Sequence, residues 1–320
     1  MSGSVTVVGA GVAGLCVATE LAERGVDVRI VDRLGAPGPH ACSWWAGGML
    51  APFCEGESSH ESVVHLGQDA ADWWSRHAGG VVSAGTLVVT PARDRGELDR
   101  YARRTTNHRR LHAGEIQALE PDLGERFASA LFFERESHLS PREALAALVD
   151  NLARRGIRIR QGEWEPEDDR LTIDCRGIAA RGELPGLRGV KGEMVVLRCT
   201  DVSLQRPVRL LHPRHPLYIV PRGDGVFMLG ATQIETGEQG RVTTRSLLEL
   251  LSAAYALHPA FGEAEVLEIG AHVRPAFPDN LPRVVRHGDT LHVNGLFRHG
   301  FLLAPAMARM AADGISGGSE

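Results

Sequence analysis

The stretch Ser4-Val5-Thr6-Val7-Val8-Gly9-Ala10-Gly11-Val12-Ala13-Gly14 opens the chain as a short apolar run that leads into a complete G-x-G-x-x-G pattern. A helical pattern follows over residues 15–24, and Val28-Arg29-Ile30-Val31-Asp32 is a second apolar run that ends in an acid. This order of strand, glycine turn, helix, strand and acid is that of a dinucleotide-binding βαβ unit. The stretch therefore predicts an α/β fold built on a parallel sheet.

Each glycine of the pattern has a physical reason for its place. Gly9 allows the tight turn, Gly11 lets the backbone approach a pyrophosphate, and Gly14 lets the helix pack on the strand. The N-terminus of the helix offers free N–H groups and about half a positive charge to the phosphates. Asp32 lies where a carboxylate accepts hydrogen bonds from both hydroxyls of a ribose. A glycine-rich turn without a ligand is the alternative interpretation.

Composition and charge limit the classes of protein to which the chain can belong. The 320 residues are 43% hydrophobic, and the formal charge is −5 with no basic face, which argues against a nucleic-acid partner. No run is long and apolar enough to span a membrane, and the first apolar run is too short for a signal peptide. The five cysteines are scattered without a C-x-x-C spacing, so we expect no metal site and a reduced, cytoplasmic protein.

Strand and helix patterns alternate at both ends of the chain, whereas the middle is rich in hairpin patterns. This arrangement predicts two interleaved domains: a Rossmann-like cofactor-binding domain with a parallel sheet, and a mixed-sheet substrate domain. The cofactor-binding domain is expected to be discontinuous and to comprise residues 1–80, 138–190 and 266–320. The substrate-binding domain is expected to comprise residues 81–137 and 191–265.

Three local patterns predict single elements. Residues 63–77 have the pattern of a helix. Ser140 and Pro141 form a helix start, with the serine as N-cap and the proline at the first helical position. Residues 217–230 are typical of a hairpin, with Gly223-Asp224-Gly225 at its tip.

Four stretches together carry a resemblance to one family. They are the N-terminal βαβ unit, Ser43-Trp44-Trp45-Ala46-Gly47-Gly48-Met49-Leu50, Tyr218-Ile219-Val220-Pro221-Arg222, and Gly295-Leu296-Phe297-Arg298-His299-Gly300-Phe301-Leu302-Leu303-Ala304-Pro305. The chain resembles the D-amino-acid oxidase superfamily of FAD enzymes, and within it most of all the glycine oxidases of thiamine biosynthesis. The resemblance extends over nearly the whole chain.

The resemblance implies that the dinucleotide is FAD. The loop over residues 46–50 is then expected to run along the isoalloxazine ring, where small residues allow backbone contact. Gly300 and the helix after it would point at the pyrimidine edge, where a helix N-terminus stabilises the negative charge of reduced flavin. An ordinary loop before a surface helix is the alternative for this segment. No cysteine lies at an obvious attachment point, so we expect a non-covalent cofactor.

The residues that we expect to bind the cofactor come from the glycine turn, the end of the second strand, the small-residue loop and the C-terminal segment. They are Gly9, Gly11, Val12, Ala13, Gly14, Asp32, Arg33, Ser43, Ala46, Gly47, Gly48, Met49, Leu50, Arg298, His299, Gly300, Phe301 and Leu302.

The resemblance also implies a catalytic set of three residues. Arg274 is the expected clamp for the carboxylate of an amino acid, because a guanidinium binds a carboxylate through two charge-assisted hydrogen bonds. Tyr218 is the expected second donor to that carboxylate, and Arg298 is expected to contact the substrate or the flavin. With Met49 and Gln233, these residues form the expected substrate site. The alternatives are an ion pair of Arg274 with Asp279, a packed tyrosine and a solvated Arg298.

The implied activity is oxidative deamination of glycine or another small amino acid. A hydride passes from Cα to flavin N5, the imine is hydrolysed to a 2-oxo acid, and O2 is reduced to H2O2; glycine imine would feed thiazole formation in the thiamine pathway. Three other functions stay open. They are a flavin dehydrogenase that passes electrons to a quinone or a partner, a non-catalytic FAD-binding subunit, and an NAD dehydrogenase.

Two features depart from the family pattern. Only a short segment that includes residues 164–169 joins the strand pattern at Ile157 to the one at Leu171, where relatives usually carry a small β-meander. Gln233 stands where several glycine oxidases have an apolar residue. Whether the chain forms a homo-oligomer is left open by the sequence.

Overall fold

The structure of the protein is a computed structural model, and it describes residues 4–165, 171–212 and 216–316. The helices are α1 (Val12–Glu23), α2 (Pro52–Glu55), α3 (Glu61–Gly67), α4 (Ala70–His77), α5 (Arg95–Arg104), α6 (Ala113–Leu119), α7 (Pro141–Arg154), α8 (Thr244–Leu257) and α9 (Gly300–Ser316). Within these described ranges, no helix has the length and apolar character that crossing a membrane requires.

The strands are short, apart from two long ones that pair with each other. They are β1 (Val5–Val8), β2 (Val28–Asp32), β3 (Met49–Leu50), β4 (Thr86–Val89), β5 (Arg109–His112), β6 (Ser129–Phe133), β7 (Ser137–His138), β8 (Ile159–Gln161), β9 (Thr172–Asp174), β10 (Arg188–Arg198), β11 (Val208–Leu210), β12 (Leu217–Pro221), β13 (Val226–Gly230), β14 (Ile234–Glu235), β15 (Glu265–Ala276), β16 (Arg283–His287) and β17 (Thr290–Asn294).

The first sheet is the one that the N-terminal sequence predicts. Its order is β16-β17-β9-β1-β2-β8, and every pairing in it is parallel except that of β16 with β17. All four residues of β1 are buried, as is usual for a central strand covered on both faces. The predicted α/β fold with a parallel sheet is therefore confirmed.

Helix α1 lies in the centre of the first domain's core. Its residues from Val12 to Leu21 are all buried, so it has no polar face. Two neighbouring tryptophans hold other elements to it: Trp73 Nε1 donates to Glu20 Oε1 at 2.6 Å, and Trp74 Nε1 donates to the Phe301 carbonyl at 2.8 Å. These two bonds join α4 to α1 and to the start of α9.

The second sheet is mixed and larger. Its order is β14-β10-β13-β12-β11-β4-β6-β5, and β15 pairs with β10. The pairing of β12 with β13 confirms the predicted hairpin, whose tip residues Gly223, Asp224 and Gly225 have φ values of +84°, +49° and +68°. The division into two domains stays a prediction; β15 lies in this sheet, although that division assigns residues 266–276 to the cofactor-binding domain.

Two predicted helix patterns have different outcomes. Helix α7 begins at Pro141, as predicted, although the Ser140 side chain makes no capping hydrogen bond. The single helix predicted over residues 63–77 is wrong, because α3 ends at Gly67 and α4 begins at Ala70. A Cβ on Gly67 would lie 2.7 Å from Leu302 Cγ, so α9 passes close to the break.

The predicted short connection before β9 is only partly within the described residues. Residues 166–170 lie outside them, so the expected replacement of the β-meander stays a prediction. Trp164, at the near end of this connection, packs its ring against the Arg176 guanidinium, whose Cζ lies 5.3 Å from the ring centroid.

A buried acid supports the turn between β6 and β7. Glu136 is fully buried, and its Oε1 accepts a hydrogen bond from the Cys54 N–H at 2.7 Å. Burial raises the pKa of the Glu136 carboxyl to about 7, and nearby Arg209 lowers the pKa by less than burial raises it. The carboxyl is therefore protonated in mildly acidic solution and about half ionised near neutral pH.

We predict that Gly14→Ala destabilises the protein. An added Cβ would lie 1.8 Å from the Gly9 carbonyl oxygen, so α1 would have to move away from the turn. The expected loss in the free energy of unfolding is about 1–3 kcal/mol, measured by urea denaturation. Gly96→Ala is the matched control, because Gly96 is also helical but has open space around it; there we expect a gain of about 0.5–1 kcal/mol. Equal effects of the two variants would contradict the role of Gly14.

We predict that Glu136→Gln changes how stability depends on pH. The folded-state pKa of Glu136 is raised, so the stability that this residue contributes is fully present below its unfolded pKa and is lost as pH rises through about 7. Glutamine keeps the oxygen that accepts from Cys54 but does not ionise. Between about pH 5 and pH 8, the unfolding free energy of the variant should gain about 2–3 kcal/mol relative to wild type. Exposed Glu134→Gln is the control, and a gain there of the same size would refute the assignment.

Candidate active site

A cavity of about 760 Å³ is lined by residues from both sheets. Nearly all of the predicted site residues line it, namely Gly9, Gly11, Val12, Ala13, Asp32, Arg33, Ser43, Ala46, Gly47, Gly48, Met49, Tyr218, Gln233, Arg274, Arg298, His299, Gly300, Phe301 and Leu302. Gly14 and Leu50 do not, because Gly14 faces the Gly9 carbonyl and the Leu50 side chain packs in the core.

One end of the cavity is formed by the glycine turn. Gly9 has φ +100°, and a Cβ there would lie 2.7 Å from the Cys175 carbonyl oxygen, so only glycine fits. Gly11 is the N-cap of α1, and no side chain caps the helix. The buried Ser43 Oγ has no hydrogen-bond partner among the described residues and lies 3.6 Å from where a Gly11 Cβ would be. Unsatisfied donors beside a helix N-terminus fit a phosphate group.

Asp32 is fixed at the end of β2 by two main-chain donors. Its Oδ2 accepts from the Ala10 N–H and its Oδ1 accepts from the Leu34 N–H, both at 2.8 Å. Each carboxylate oxygen has a second lone pair, so the group can still accept from two ribose hydroxyls. The glycine turn, Ser43 and Asp32 thus fit a dinucleotide.

The small-residue loop is held against the second sheet by a buried arginine. Arg222 donates through Nη2 to the carbonyls of Gly47 at 2.8 Å and Ala46 at 3.3 Å, and through Nη1 to the Leu139 carbonyl at 2.9 Å. Burial lowers the pKa of Arg222 to about 10. The guanidinium therefore acts as a structural tie for this loop.

Tyr218 occupies space that two glycines leave open. A Cβ on Gly47 would lie 2.8 Å from Tyr218 Cε2, and a Cβ on Gly230 would lie 2.4 Å from the Tyr218 hydroxyl. Burial raises the pKa of the Tyr218 hydroxyl, while Arg274, Arg209 and Arg222 lower it by less. The phenol therefore stays protonated at neutral pH and can donate a hydrogen bond into the cavity.

Arg274 extends from β15 into the cavity. Its Nη2 donates to the carbonyls of Thr232 at 2.5 Å and Lys191 at 3.4 Å, and its Cζ lies 5.7 Å from the centroid of Phe297. In the part of the chain that the structure describes, no carboxylate lies within ion-pair distance of it, so the alternative pair with Asp279 does not form. Asp279 pairs with Arg283 instead, at 2.8 Å.

Burial is the largest influence on Arg274 and lowers the pKa of its guanidinium. A partly desolvated cation without an anionic partner is unfavourable, and an anionic ligand would stabilise it. Phe297, which packs beside Arg274, has φ +49°, an uncommon backbone conformation for an aromatic residue. Such strain is often found at functional sites.

Arg298 is held by a buried acid. Its Nη2 lies 2.8 Å from Glu55 Oε2 and 2.6 Å from Ser58 Oγ. Glu55 also pairs with Arg209 at 2.5 Å and with His299 Nε2 at 2.9 Å. Burial raises the pKa of Glu55, but Arg298, Arg209 and His299 lower it by more. The pKa of this carboxyl therefore lies well below its usual range, and the group stays ionised.

Sequence reasoning missed Glu55 and Arg209, which both line the cavity. Arg209 alternates with buried Val208 and Leu210, so the period-two pattern alone places it on the opposite face of β11. Glu55 ends a short helix that begins at Pro52, a position at which an acid is usually solvated. For Glu55 the sequence carries no signal.

Gln233 lines the cavity and is exposed, so it lies at the cavity's rim. The expected absence of a metal stays a prediction. Among the described residues, Asp174, Glu183 and His292 lie close enough together to hold an ion. Arg176 donates to both of these carboxylates at 2.6 Å, and its guanidinium supplies a cation there.

The geometry divides the cavity into two chemically distinct ends. The end near Gly9 and Asp32 offers main-chain donors and one carboxylate, whereas the end near Arg274 offers guanidinium and phenol donors. An extended dinucleotide can lie along the cavity, with a small anionic ligand at the second end.

Comparison with known proteins agrees with this geometry. A profile of the family described as "FAD dependent oxidoreductase" matches residues 4–314. The chain is 58% identical to "Putative thiamine biosynthesis oxidoreductase ThiO" of Rhizobium etli over 95% of this chain and 94% of that protein. It is 30% identical to glycine oxidase of Pseudomonas aeruginosa, over 99% of this chain and 96% of that protein.

The fold is also similar to a solved structure. The crystal structure of glycine oxidase from Geobacillus kaustophilus matches with a TM-score of 0.82 at 24% identity, over 97% of this chain and 93% of that one. These comparisons confirm the family that the sequence resembles, and they confirm FAD as the cofactor. The chain therefore belongs to the FAD-dependent oxidoreductase family, as an enzyme similar to ThiO and glycine oxidase.

Proposed function

We propose that the protein oxidises glycine or another small primary or secondary amino acid. With glycine, the overall reaction converts the amino acid, O2 and water into glyoxylate, ammonia and H2O2. The observation that carries the proposal is the half-buried Arg274 guanidinium, which has no carboxylate partner among the described residues and lines the same cavity as Tyr218.

Arg274 and Tyr218 bind the substrate carboxylate in this proposal. The guanidinium supplies charge-assisted hydrogen bonds and the phenol supplies one neutral donor, so the amino acid is oriented at its acid end. The glycine turn at Gly9 and Gly11, together with Asp32, would hold FAD non-covalently, and the cofactor would supply the hydride acceptor for Cα–H and the route for two electrons to O2. Orientation is the main task of the protein groups, because the reacting amine is neutral and needs no dedicated base.

Glu55 is not a general base in this scheme. Its pKa lies well below the usual range, and three cationic or donor groups already occupy its oxygens. Its task is to hold Arg298 and His299 at the cavity wall. Arg298 can then contact the substrate or the cofactor without being buried unpaired.

We also propose that the physiological product is an imine used in thiamine biosynthesis. The relative from Rhizobium etli carries thiamine biosynthesis in its name. Glycine imine supplies the carbon and nitrogen that thiazole formation needs, so it would be consumed before hydrolysis. The pocket at Arg274 has to be small enough to favour glycine, and Gln233 at its rim would set that limit.

The direct test is anaerobic reduction of the purified holoenzyme. Glycine, sarcosine and D-alanine are added in turn, and the visible absorbance of the flavin is followed. Loss of the absorbance with at least one of them supports the proposal, and no loss with any overturns it. Oxygen uptake with the active substrate then separates an oxidase from a dehydrogenase, which would reduce only a quinone or dye.

We predict that Arg274→Ala retains FAD but raises the glycine KM by about a hundredfold or more. The expected loss is at least two charge-assisted hydrogen bonds of about 1.5–3 kcal/mol each. Steady-state kinetics and the ratio of flavin to protein are measured. Arg283→Ala on β16 is the matched control, because Arg283 is also close to an aromatic ring, Phe277, but does not line the cavity. An unchanged KM in Arg274→Ala would remove this residue from the substrate site.

We predict a smaller effect for Tyr218→Phe. One neutral hydrogen bond contributes about 0.5–1.5 kcal/mol, so the glycine KM should rise about three- to tenfold with FAD content unchanged. Tyr255→Phe, at an exposed position on α8, is the control and should leave KM as in wild type. Identical kinetics for Tyr218→Phe and wild type would show that the phenol does not touch the carboxylate.

A further inference from the structure

The only lysine of the chain is buried next to the candidate substrate site. Lys191 is 6% exposed, and its Nζ donates to Glu193 Oε1 at 2.7 Å and to the Arg241 carbonyl at 2.6 Å. Glu193 is fully buried. Burying such a pair costs desolvation energy, so a purely stabilising role would be served as well by apolar side chains.

Gly192, between the two charged residues, makes room for the substrate clamp. A Cβ on Gly192 would lie 2.6 Å from Arg274 Nη2, so no other residue leaves the guanidinium in place. Successive side chains of a strand point to opposite faces. Lys191 and Glu193 therefore share one face of β10, and the Arg274 guanidinium lies over the other.

Glu193 ties both ends of the segment that follows β13, residues 231–243. At one end, Thr232 N–H donates to the Glu193 carbonyl at 3.2 Å, and Thr232 Oγ1 lies 3.0 Å from the Glu193 nitrogen. At the other end, Thr243 N–H donates to Glu193 Oε1 at 3.1 Å. Lys191 Nζ adds a bond to the Arg241 carbonyl, and Thr232 Oγ1 lies 3.5 Å from Glu193 Oε2, so the two charged side chains contact the 231–243 segment at three points.

The 231–243 segment in turn holds the substrate clamp and borders the cavity. The Thr232 carbonyl accepts from Arg274 Nη2, and Ala231, Gln233 and Gln239 line the cavity. A continuous series of contacts thus runs from Lys191 through Glu193 and Thr232 to Arg274.

We propose that Lys191 and Glu193 are positioning residues that fix the 231–243 segment and so orient Arg274 for the substrate carboxylate. This proposal rests on the proposed function of Arg274. Neither charged side chain touches the substrate. The Glu193 carboxylate acts through the Thr232 hydroxyl and the Thr243 N–H, and the Lys191 ammonium acts through the Arg241 carbonyl. The pair therefore sets the affinity for a carboxylate, and loss of the pair leaves the FAD site unchanged.

The test uses the holoenzyme and removes both charges together. Lys191→Met with Glu193→Gln removes the pair without leaving one buried charge unpaired. Lys191→Arg is the conservative variant, because it keeps the charge and the donors. The matched control is Arg206→Met with Glu120→Gln, a buried pair at 2.7 Å in the same half of the molecule whose residues do not line the cavity.

Four quantities are measured for each variant: FAD content, amide hydrogen exchange of residues 231–243, the Kd for glycolate from the flavin spectrum, and glycine kinetics. In the Lys191→Met, Glu193→Gln variant the ion pair and the donor to the Arg241 carbonyl are lost, so we expect faster amide exchange near Arg241. The changes at Thr232 and Thr243 should be smaller, because both N–H groups keep an acceptor. The glycolate Kd and the glycine KM should each rise about tenfold, with a much smaller change in kcat and wild-type FAD content. The Lys191→Arg variant should keep most of the wild-type affinity for glycolate and glycine.

The proposal is overturned if the folded, FAD-loaded double variant keeps wild-type exchange and affinity, or if the control pair gives the same changes. Failure of the proposed function is seen separately, because wild type then neither binds glycolate nor reacts with any amino acid. In that case the exchange data still decide whether the pair holds the segment.

A second measurement needs no variant. Since Lys191 is the only lysine, the acylation of its amine can be followed in wild type by mass spectrometry. Coupling between two sites is reciprocal, so a carboxylate that binds Arg274 must also stabilise the Lys191 pair. Saturating glycolate should lower the acylation rate several-fold. An unchanged rate would overturn the coupling even if the double variant fails to fold.

Discussion

The candidate substrate site depends on one half-buried cation, the guanidinium of Arg274. A guanidinium keeps its charge under all ordinary conditions, so burial cannot be relieved by loss of a proton. Here main-chain carbonyls accept hydrogen bonds from its Nε and Nη2 but do not neutralise its charge. The charge therefore favours an anion in the cavity, and this preference is present before any substrate arrives.

Three arginines in or near the cavity differ in their hydrogen-bond and ion-pair partners, and therefore in their roles. Arg222 donates to three carbonyls and fixes the loop at Gly47, while Arg298 is neutralised by Glu55. Arg274 has carbonyl partners but no described carboxylate. Arg222 also has only carbonyl partners among the described residues, but it does not line the cavity. Of the three, Arg274 is therefore the arginine without a carboxylate partner that a ligand carboxylate can reach.

The sequence predicted the nucleotide half of the fold better than the substrate half. Gly9, Gly14 and Asp32 act through local geometry, and their spacing along the chain is the spacing that the βαβ unit requires. The hairpin ending in Gly223-Asp224-Gly225 was predicted for the same reason. Arg274 and Tyr218 were identified only through a family resemblance, since an arginine before a proline and a tyrosine in a strand have no distinctive local pattern.

The tertiary pairs could not be predicted from the sequence at all. Glu55 meets Arg209 and Arg298, which are far apart along the chain, and isolated charges in a sequence are usually solvated. Lys191 and Glu193 alternate in a strand, a pattern that normally indicates an exposed face. They are buried because residues 231–243 cover that face. No local sequence pattern predicts where those residues lie.

The glycines of the substrate half give a physical reason for this difference. Gly47, Gly192 and Gly230 each leave the space that Tyr218 or Arg274 occupies, and in each case an added Cβ would lie within 2.8 Å of the functional side chain. Gly47 and Gly192 are not required by a turn, so backbone conformation does not explain them. Their requirement arises only when two distant segments meet, and this is why the glycine turn at Gly9 could be interpreted alone while these positions could not. The site therefore requires glycines that leave space, as well as the guanidinium and the phenol that occupy this space.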